Sequence, residues 1–260
     1  KTYSMIGNRE EYIKMSECER NHWWYDALHN QTLDRIKEKF PHKNTKILDL
    51  GCGTGGLLSR ISRIGYNNII GFDISADAVE IACSFDLPVT QADARKVIFD
   101  LEESSFDVIV MHDVFYFFTD IERKEIFSQL LKLLNPGGLL MMNLPSFDVF
   151  AGTHDAAVGI QKRFNKQRIN DFINNAPAIE SDMTYWPFAL SPVIATVRSL
   201  QRIKIKLFPD HSTPSDLAVP NRLINAILLG VTNLEGMLGL RKIWGSSIFL
   251  SVEKVPTEQV

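Results

Sequence analysis

The chain has 260 residues, 45% of them hydrophobic and 23% charged, with a net charge of −3. These values describe an ordinary globular protein with room for one large α/β domain and a cap, and they argue against a disordered chain. The slightly acidic balance lacks the basic footprint that nucleic acid calls for, so no nucleic-acid partner is expected.

Residues 9–40 read as helical, with Trp24, Leu28 and Leu33 at helical spacing and charges filling the gaps. Pro41 and Asn44 interrupt the pattern before a strand at Lys46–Leu50. Gly51–Gly56 form a glycine turn into a helix at Leu57–Ile64. A strand at Asn68–Asp73, a helix at Ala76–Ser84, a strand at Leu87–Gln91 and a strand at Phe106–His112 follow. The amphipathic helix Ile121–Leu134 is ended by Asn135-Pro136-Gly137-Gly138, and a fifth strand spans Leu139–Asn143. Strand–helix alternation of this kind predicts a parallel sheet covered on both faces.

Beyond Leu144 the pattern changes. A loop with a weak helix at Ser146–Phe164 precedes a helix at Asn165–Asn174 and a strand at Ile179–Trp186. Two apolar helical stretches within Leu190–Leu240 flank the linker FPDHSTPSD, and Ser246–Glu253 closes the chain as a strand. The expected division is an N-terminal helical segment over 1–45, a core over 46–187 and 246–254, and a helical cap insertion over 188–245.

Cys18, Cys52 and Cys83 form neither a CxxC pair nor a Cys/His cluster, so free thiols, no metal and a cytoplasmic location are expected. No apolar run reaches the roughly 18 residues of a transmembrane span, and the first residues lack the apolar stretch of a signal peptide.

The strongest motif is LDLGCGTGG, Leu48–Gly56. Glycines directly after a strand allow a sharp turn and a bare backbone, and the next helix offers its N–H groups to a ligand. Read literally, Gly51, Gly53 and Gly56 also fit the dinucleotide fingerprint, with Asp73 at the expected distance. Three acids argue for a different cofactor. Asp49 lies inside the strand before the glycines. Asp73 ends the second strand in GFDIS, where a carboxylate can accept both ribose hydroxyls. Asp93 follows the third in QADA, where it can accept from an adenine amino group. One acid per strand end falls at the carboxyl edge, where open α/β sheets bind ligands.

LDLGCGTG, GFDIS, QADA, FDVIV and LNPGG, in unbroken order from Lys46 to Leu144, resemble the class I S-adenosylmethionine-dependent methyltransferases. The resemblance implies a Rossmann-like α/β fold: a seven-stranded, mostly parallel sheet with an antiparallel last strand, under an N-terminal helical lid and a helical cap inserted before that strand. It implies S-adenosylmethionine as cofactor, held by Asp49, Gly51, Cys52, Gly53, Asp73, Ile74, Asp93, Ala94 and His112. ERNHWWYDALHNQTL, LPSF, His154-Asp155 and Lys162-Arg163-Phe164 further resemble a subgroup found with bacterial glycan and polyprenol-lipid assembly. That subgroup's Glu-His after strand four is Tyr116-Phe117 here, so neither a catalytic nor a metal role is carried over to that place.

These resemblances lead to O-methylation of a small acceptor, such as a sugar or glycan precursor, which could be phosphorylated or nucleotide-linked. The competing readings are a nicotinamide oxidoreductase and a cofactor-binding partner subunit without catalysis. A hydroxyl acceptor calls for a general base. Among His22, His112, Asp113 and His154, the expected base is His154, supported by Asp155. His22, Trp24, Tyr25, Tyr116 and Arg163 are candidate acceptor contacts, and the apolar cap helices could form a homodimer interface.

Overall fold

The computed structural model describes residues 9–151, 155, 160, 162–207, 219–241 and 244–255. Seven strands form one sheet: β1 (Ile47–Leu50), β2 (Ile69–Asp73), β3 (Val89–Gln91), β4 (Phe106–His112), β5 (Leu134–Pro145), β6 (Ala178–Trp186) and β7 (Ser247–Lys254). Their order is β3-β2-β1-β4-β5-β7-β6. β7 runs antiparallel to both β5 and β6, and the β1, β2, β3, β4 and β5 pairings are parallel. The fold is therefore the expected Rossmann-like, mostly parallel sheet. Its strand order reverses between β1 and β4, and ligands bind at such a switch point, beyond the carboxyl ends of the strands.

The described α-helices are α1 (Arg9–Asn21), α2 (Trp23–Lys39), α3 (Gly56–Arg63), α4 (Ala76–Cys83), α5 (Ala94–Asp100), α6 (Asp120–Leu133), α7 (Lys166–Ile173), α8 (Ser191–Leu207) and α9 (Arg222–Met237). Local chemistry explains several starts. Ser75 caps α4, Asn165 caps α7, and Thr119 with Glu122 forms a reciprocal capping box on α6. The buried four-residue run of β1 reads ILDL, as a strand covered on both faces should.

Four expectations change. The N-terminal helix is two helices, broken at His22, whose Nδ1 accepts from Trp24 N at 3.2 Å. Asn225 of α9 holds the same break: its Oδ1 accepts from Trp23 N at 2.8 Å and its Nδ2 donates to Asn21 O at 3.0 Å. The segment over 1–45 is also more than an appended lid, because α2 buries Leu28, Leu33 and Ile36 with Ile47, Val108 and Val110 in the core. A short helix, α5, follows Asp93 where none was expected. β5 begins at Leu134, so Asn135–Gly138 lie within the strand, opposite a register shift in β4.

Candidate functional site

The site builds outward from the turn after β1. Gly51 N and Cys52 N both donate to Phe72 O, at 2.7 and 3.2 Å, which ties the turn to β2. Gly51 and Gly53 have φ of 74° and 55°, in the left-handed region that side chains disfavour. A Cβ on Gly51 would run into Val114, and one on Gly53 into the Glu19 carboxylate and Met15. Both glycines thus admit the chain's own atoms as well as leaving backbone bare.

Glu19, on α1, fills the amino end of α3. Its Oε1 accepts from Thr54 N at 3.1 Å, and its Oε2 accepts from Thr54 Oγ1 at 2.6 Å and Gly56 N at 2.9 Å. Arg20 adds a second link, donating from Nη2 to Thr54 O at 3.0 Å, with its guanidinium 3.9 Å over the Phe85 ring. A helix amino terminus is the seat a dinucleotide pyrophosphate needs. Here the protein's own carboxylate takes it. Sequence reading missed Glu19 because its partners lie 35 and 37 residues further on.

Two of the expected acids meet Glu19 at this turn. Asp73 Oδ2 accepts from Gly53 N and its Oδ1 from Ser75 N, each at 2.9 Å. A carboxylate offers about four lone-pair directions, so acceptor capacity remains for a diol. Asp49, 3% exposed in β1, is pushed up to about 8, first by burial and then by the Glu19 and Asp73 charges. Three carboxyl groups therefore converge on one turn with their proton affinities raised, chiefly by burial, a setting in which a cationic ligand favours their ionised forms and an anionic one does not. Ile74 beside them is 37% exposed, and Cys52 is a buried filler between the turn and Gly71.

Asp93 has a different setting. It caps α5 by accepting from Arg95 N at 3.0 Å, and Arg95 Nε and Nη2 grip both its oxygens at 2.6–3.0 Å. That side-chain pairing holds Asp93 below the usual carboxylate range. Any adenine contact would have to share these oxygens. Ala94 is the first residue of α5.

At the tip of β4, the His112 Nε2 lies 2.8 Å from Thr32 Oγ1, whose hydroxyl donates to Leu28 O at 3.0 Å. The hydroxyl has one proton, so Nε2 carries the imidazole hydrogen and Nδ1 is the acceptor. Nδ1 is buried and has no hydrogen-bond partner among the described residues. Burial holds this histidine down at about 3, which keeps it neutral and makes it a poor base.

Asp113 follows with φ of 55°, in the left-handed region. Its two carboxylate oxygens accept from Asn143 Nδ2 at 2.9 and 3.2 Å, and its own N–H donates to Asn143 O at 3.0 Å. Trp186 Nε1 in turn donates to Asn143 Oδ1 at 3.0 Å. Burial, only partly opposed by the Asn143 bonds, pushes Asp113 up to about 7. Burial first and then the Asp113 charge raise the Tyr116 phenol; burial, Glu19 and Asp113 in that order raise Tyr25. Tyr25 thereby links the glycine-turn acids to the β4 tip.

The remaining candidates divide. Trp24 stacks on Trp186 at 5.1 Å and meets Tyr25 edge-on at 5.1 Å, so these rings lie together near Asn143. His22 is a helix cap, and burial lowers its imidazole. Arg163 does not reach outward: its Nε and Nη2 form a fork on both Asp155 oxygens, each at 2.7 Å, and its Nη1 donates to Ser146 O at 2.9 Å. Asp155 is therefore engaged by Arg163. His154 lies outside the described residues.

The sheet order and the glycine turn give the chain the fold found in S-adenosylmethionine-dependent methyltransferases. Residues 47–138 match the family described as "Methyltransferase domain". The chain is 32% identical over 121 residues to a carboxy-S-adenosyl-L-methionine synthase of Colwellia psychrerythraea, covering 43% of this chain and 49% of that protein. It is 29% identical over 163 residues to a ubiquinone biosynthesis O-methyltransferase of Pelagibacter ubique, covering 52% and 64%. It spans about half the length of the curated relatives it matches. A SAM-dependent methyltransferase from Archaeoglobus fulgidus superposes with a TM-score of 0.54 at 13% identity, over 87% of this chain and 94% of that one, which is a likeness of fold.

Proposed function

We propose that this chain transfers a methyl group from S-adenosylmethionine to a hydroxyl of a small acceptor, a sugar or glycan precursor. The observation that carries the cofactor assignment is the convergence of Glu19, Asp49 and Asp73 on the glycine turn, with Glu19 on the amino end of α3. A dinucleotide would have to displace that carboxylate and lay a pyrophosphate among acids. A sulfonium amino acid brings positive charge instead, and Asp73 retains the lone pairs to accept a ribose diol. The cofactor supplies a methyl group on a good leaving group, so positioning is the enzyme's main contribution, worth up to about 7–11 kcal/mol when alignment is good.

Asp113 is the group we assign as general base. It sits at the β4 tip on the carboxyl edge of the sheet, is held by Asn143, and has a proton affinity matched to neutral pH. In its ionised form it takes the acceptor hydroxyl's proton as the oxygen bonds to carbon. Trp24 and Tyr25, half-buried and edge-on to each other, offer the aromatic surface on which the C–H face of a sugar can rest, whereas Tyr116 is buried in the core. The testing experiment is calorimetry with S-adenosylhomocysteine and NADH, followed by a screen of sugars, phosphorylated sugars and nucleotide-sugars for adenosylhomocysteine release. Binding of the first ligand alone, with turnover on one acceptor class, is expected. Binding of NADH alone would overturn the reading.

A further inference from the structure

The charge of the chain is unevenly distributed. Residues 188–245 hold seven Lys and Arg against three Asp and Glu, whereas the whole chain stands at −3. Glu235, 2% exposed, accepts from Ala189 N at 2.8 Å and pairs with the largely buried Arg241, so outside this pair the segment holds six Lys and Arg against two Asp and Glu.

The same segment carries apolar faces turned to solvent. On α9, Asn225, Leu229, Thr232 and Glu235 face inward, where α9 packs on α2. The opposite side presents Leu223, Ile227, Leu234 and Met237, exposed by 71%, 55%, 55% and 85%. A side chain added at Gly230 would meet nothing within 4 Å. From Leu223 to Leu234 there is no charged residue. On α8, Val193, Val197 and Leu200 repeat at helical spacing and are likewise exposed. An ordinary surface helix is polar on its outer side, and contiguous exposed apolar surface marks an interaction site.

We propose that the cap is a docking surface for an anionic lipid bilayer, with the outer faces of α8 and α9 lying in the headgroup region. Among the described residues no helix is long and apolar enough to cross a membrane, so the helices would lie in its plane. The cap's basic excess selects the occupant. A second copy would bring like charge against like charge, whereas anionic headgroups are attracted to it. This proposal is independent of the methyltransferase reading.

The test is flotation of the whole chain with vesicles of phosphatidylcholine alone and of phosphatidylcholine containing phosphatidylglycerol, at low and high salt. Light scattering without lipid runs alongside. The expected result is capture by the anionic vesicles at low salt, reduced about tenfold or more by high salt and by the double variant Ile227→Glu/Leu234→Glu. Both substituted positions face outward, so circular dichroism and Tm should be unchanged; if that variant does not fold, the exposed Arg222→Glu tests the charge term. No capture by either vesicle, or capture indifferent to salt and substitution, overturns the proposal. So does a dimer without lipid that the double variant disperses, because the face then belongs to a second copy.

Discussion

The side-chain amide of Asn143 donates to both carboxylate oxygens of Asp113, and its backbone carbonyl takes the Asp113 N–H. Two adjacent strand ends are thus locked to each other around a half-buried acid poised near neutrality.

If Asp113 is the base, Asp113→Asn lowers turnover by about 10²-fold or more and leaves adenosylhomocysteine affinity unchanged. The wild-type kcat rises with pH through about 7 and then levels, because only the ionised carboxylate accepts a proton. His154→Ala is the control. A loss on that scale in His154→Ala, with Asp113→Asn near full rate, would move the base to the histidine.

The buried acids also predict how stability changes with pH. Asp49 and Asp113 are raised from 3.8 to about 8 and about 7, and Glu19 and Asp73 are raised as well. Between the unfolded value and the folded one, the folded chain binds more protons than the unfolded chain, so stability from these groups falls as pH rises. Thermal melts of the ligand-free protein should therefore show a higher Tm near pH 6 than near pH 8. Asp113→Asn should flatten that slope; an unchanged slope would show that Asp113 is ionised throughout.

Asp73 and Asp93 should separate cleanly. Asp73→Ala is expected to weaken adenosylhomocysteine binding by about 1–3 kcal/mol, the cost of leaving ligand hydroxyls unpaired. Asp93→Ala removes the α5 cap and should cost about 1 kcal/mol of stability, with a smaller effect on affinity. Calorimetry and denaturant melts on both variants decide this, and equal affinity losses would restore Asp93 to the adenine.

Glu19→Ala strands the N–H groups of Thr54 and Gly56, and each buried orphan costs about 1–3 kcal/mol. Glu19→Gln keeps one acceptor oxygen and should fall between the two. Gly53→Val puts a side chain where the Glu19 carboxylate lies, so both Gly53→Val and Glu19→Ala should loosen the turn and weaken adenosylhomocysteine binding, read by calorimetry. Full affinity in both variants would mean that the α1 contact does not shape the turn.

The strands and the turn were legible because their signals are local. ILDL, FDVIV and the glycines each report on neighbours within a few positions, and the antiparallel β7 followed from the family order of motifs. What stayed hidden depends on distance in sequence. Nothing near His22 marks a helix break, because Asn225 secures it from about 200 residues away. Glu19 reads as one more charge on a polar helix until α1 is laid against the turn. Asp155 beside His154 suggested a supporting carboxylate, yet the Arg163 fork eight residues on claims it. α5 was missed because its seven residues are too few for a periodic pattern.

The amide of Asn225 has one further consequence. It joins α9 to the α1–α2 junction, and α1 carries Glu19 into the glycine turn. Cap and turn thus meet through one hydrogen-bonded junction as well as through the α9–α2 packing, and a ligand that shifts this junction on one side would change the free energy of the other. By reciprocity, whatever factor occupation of the turn imposes on affinity at the cap's outer face, that face imposes on affinity at the turn.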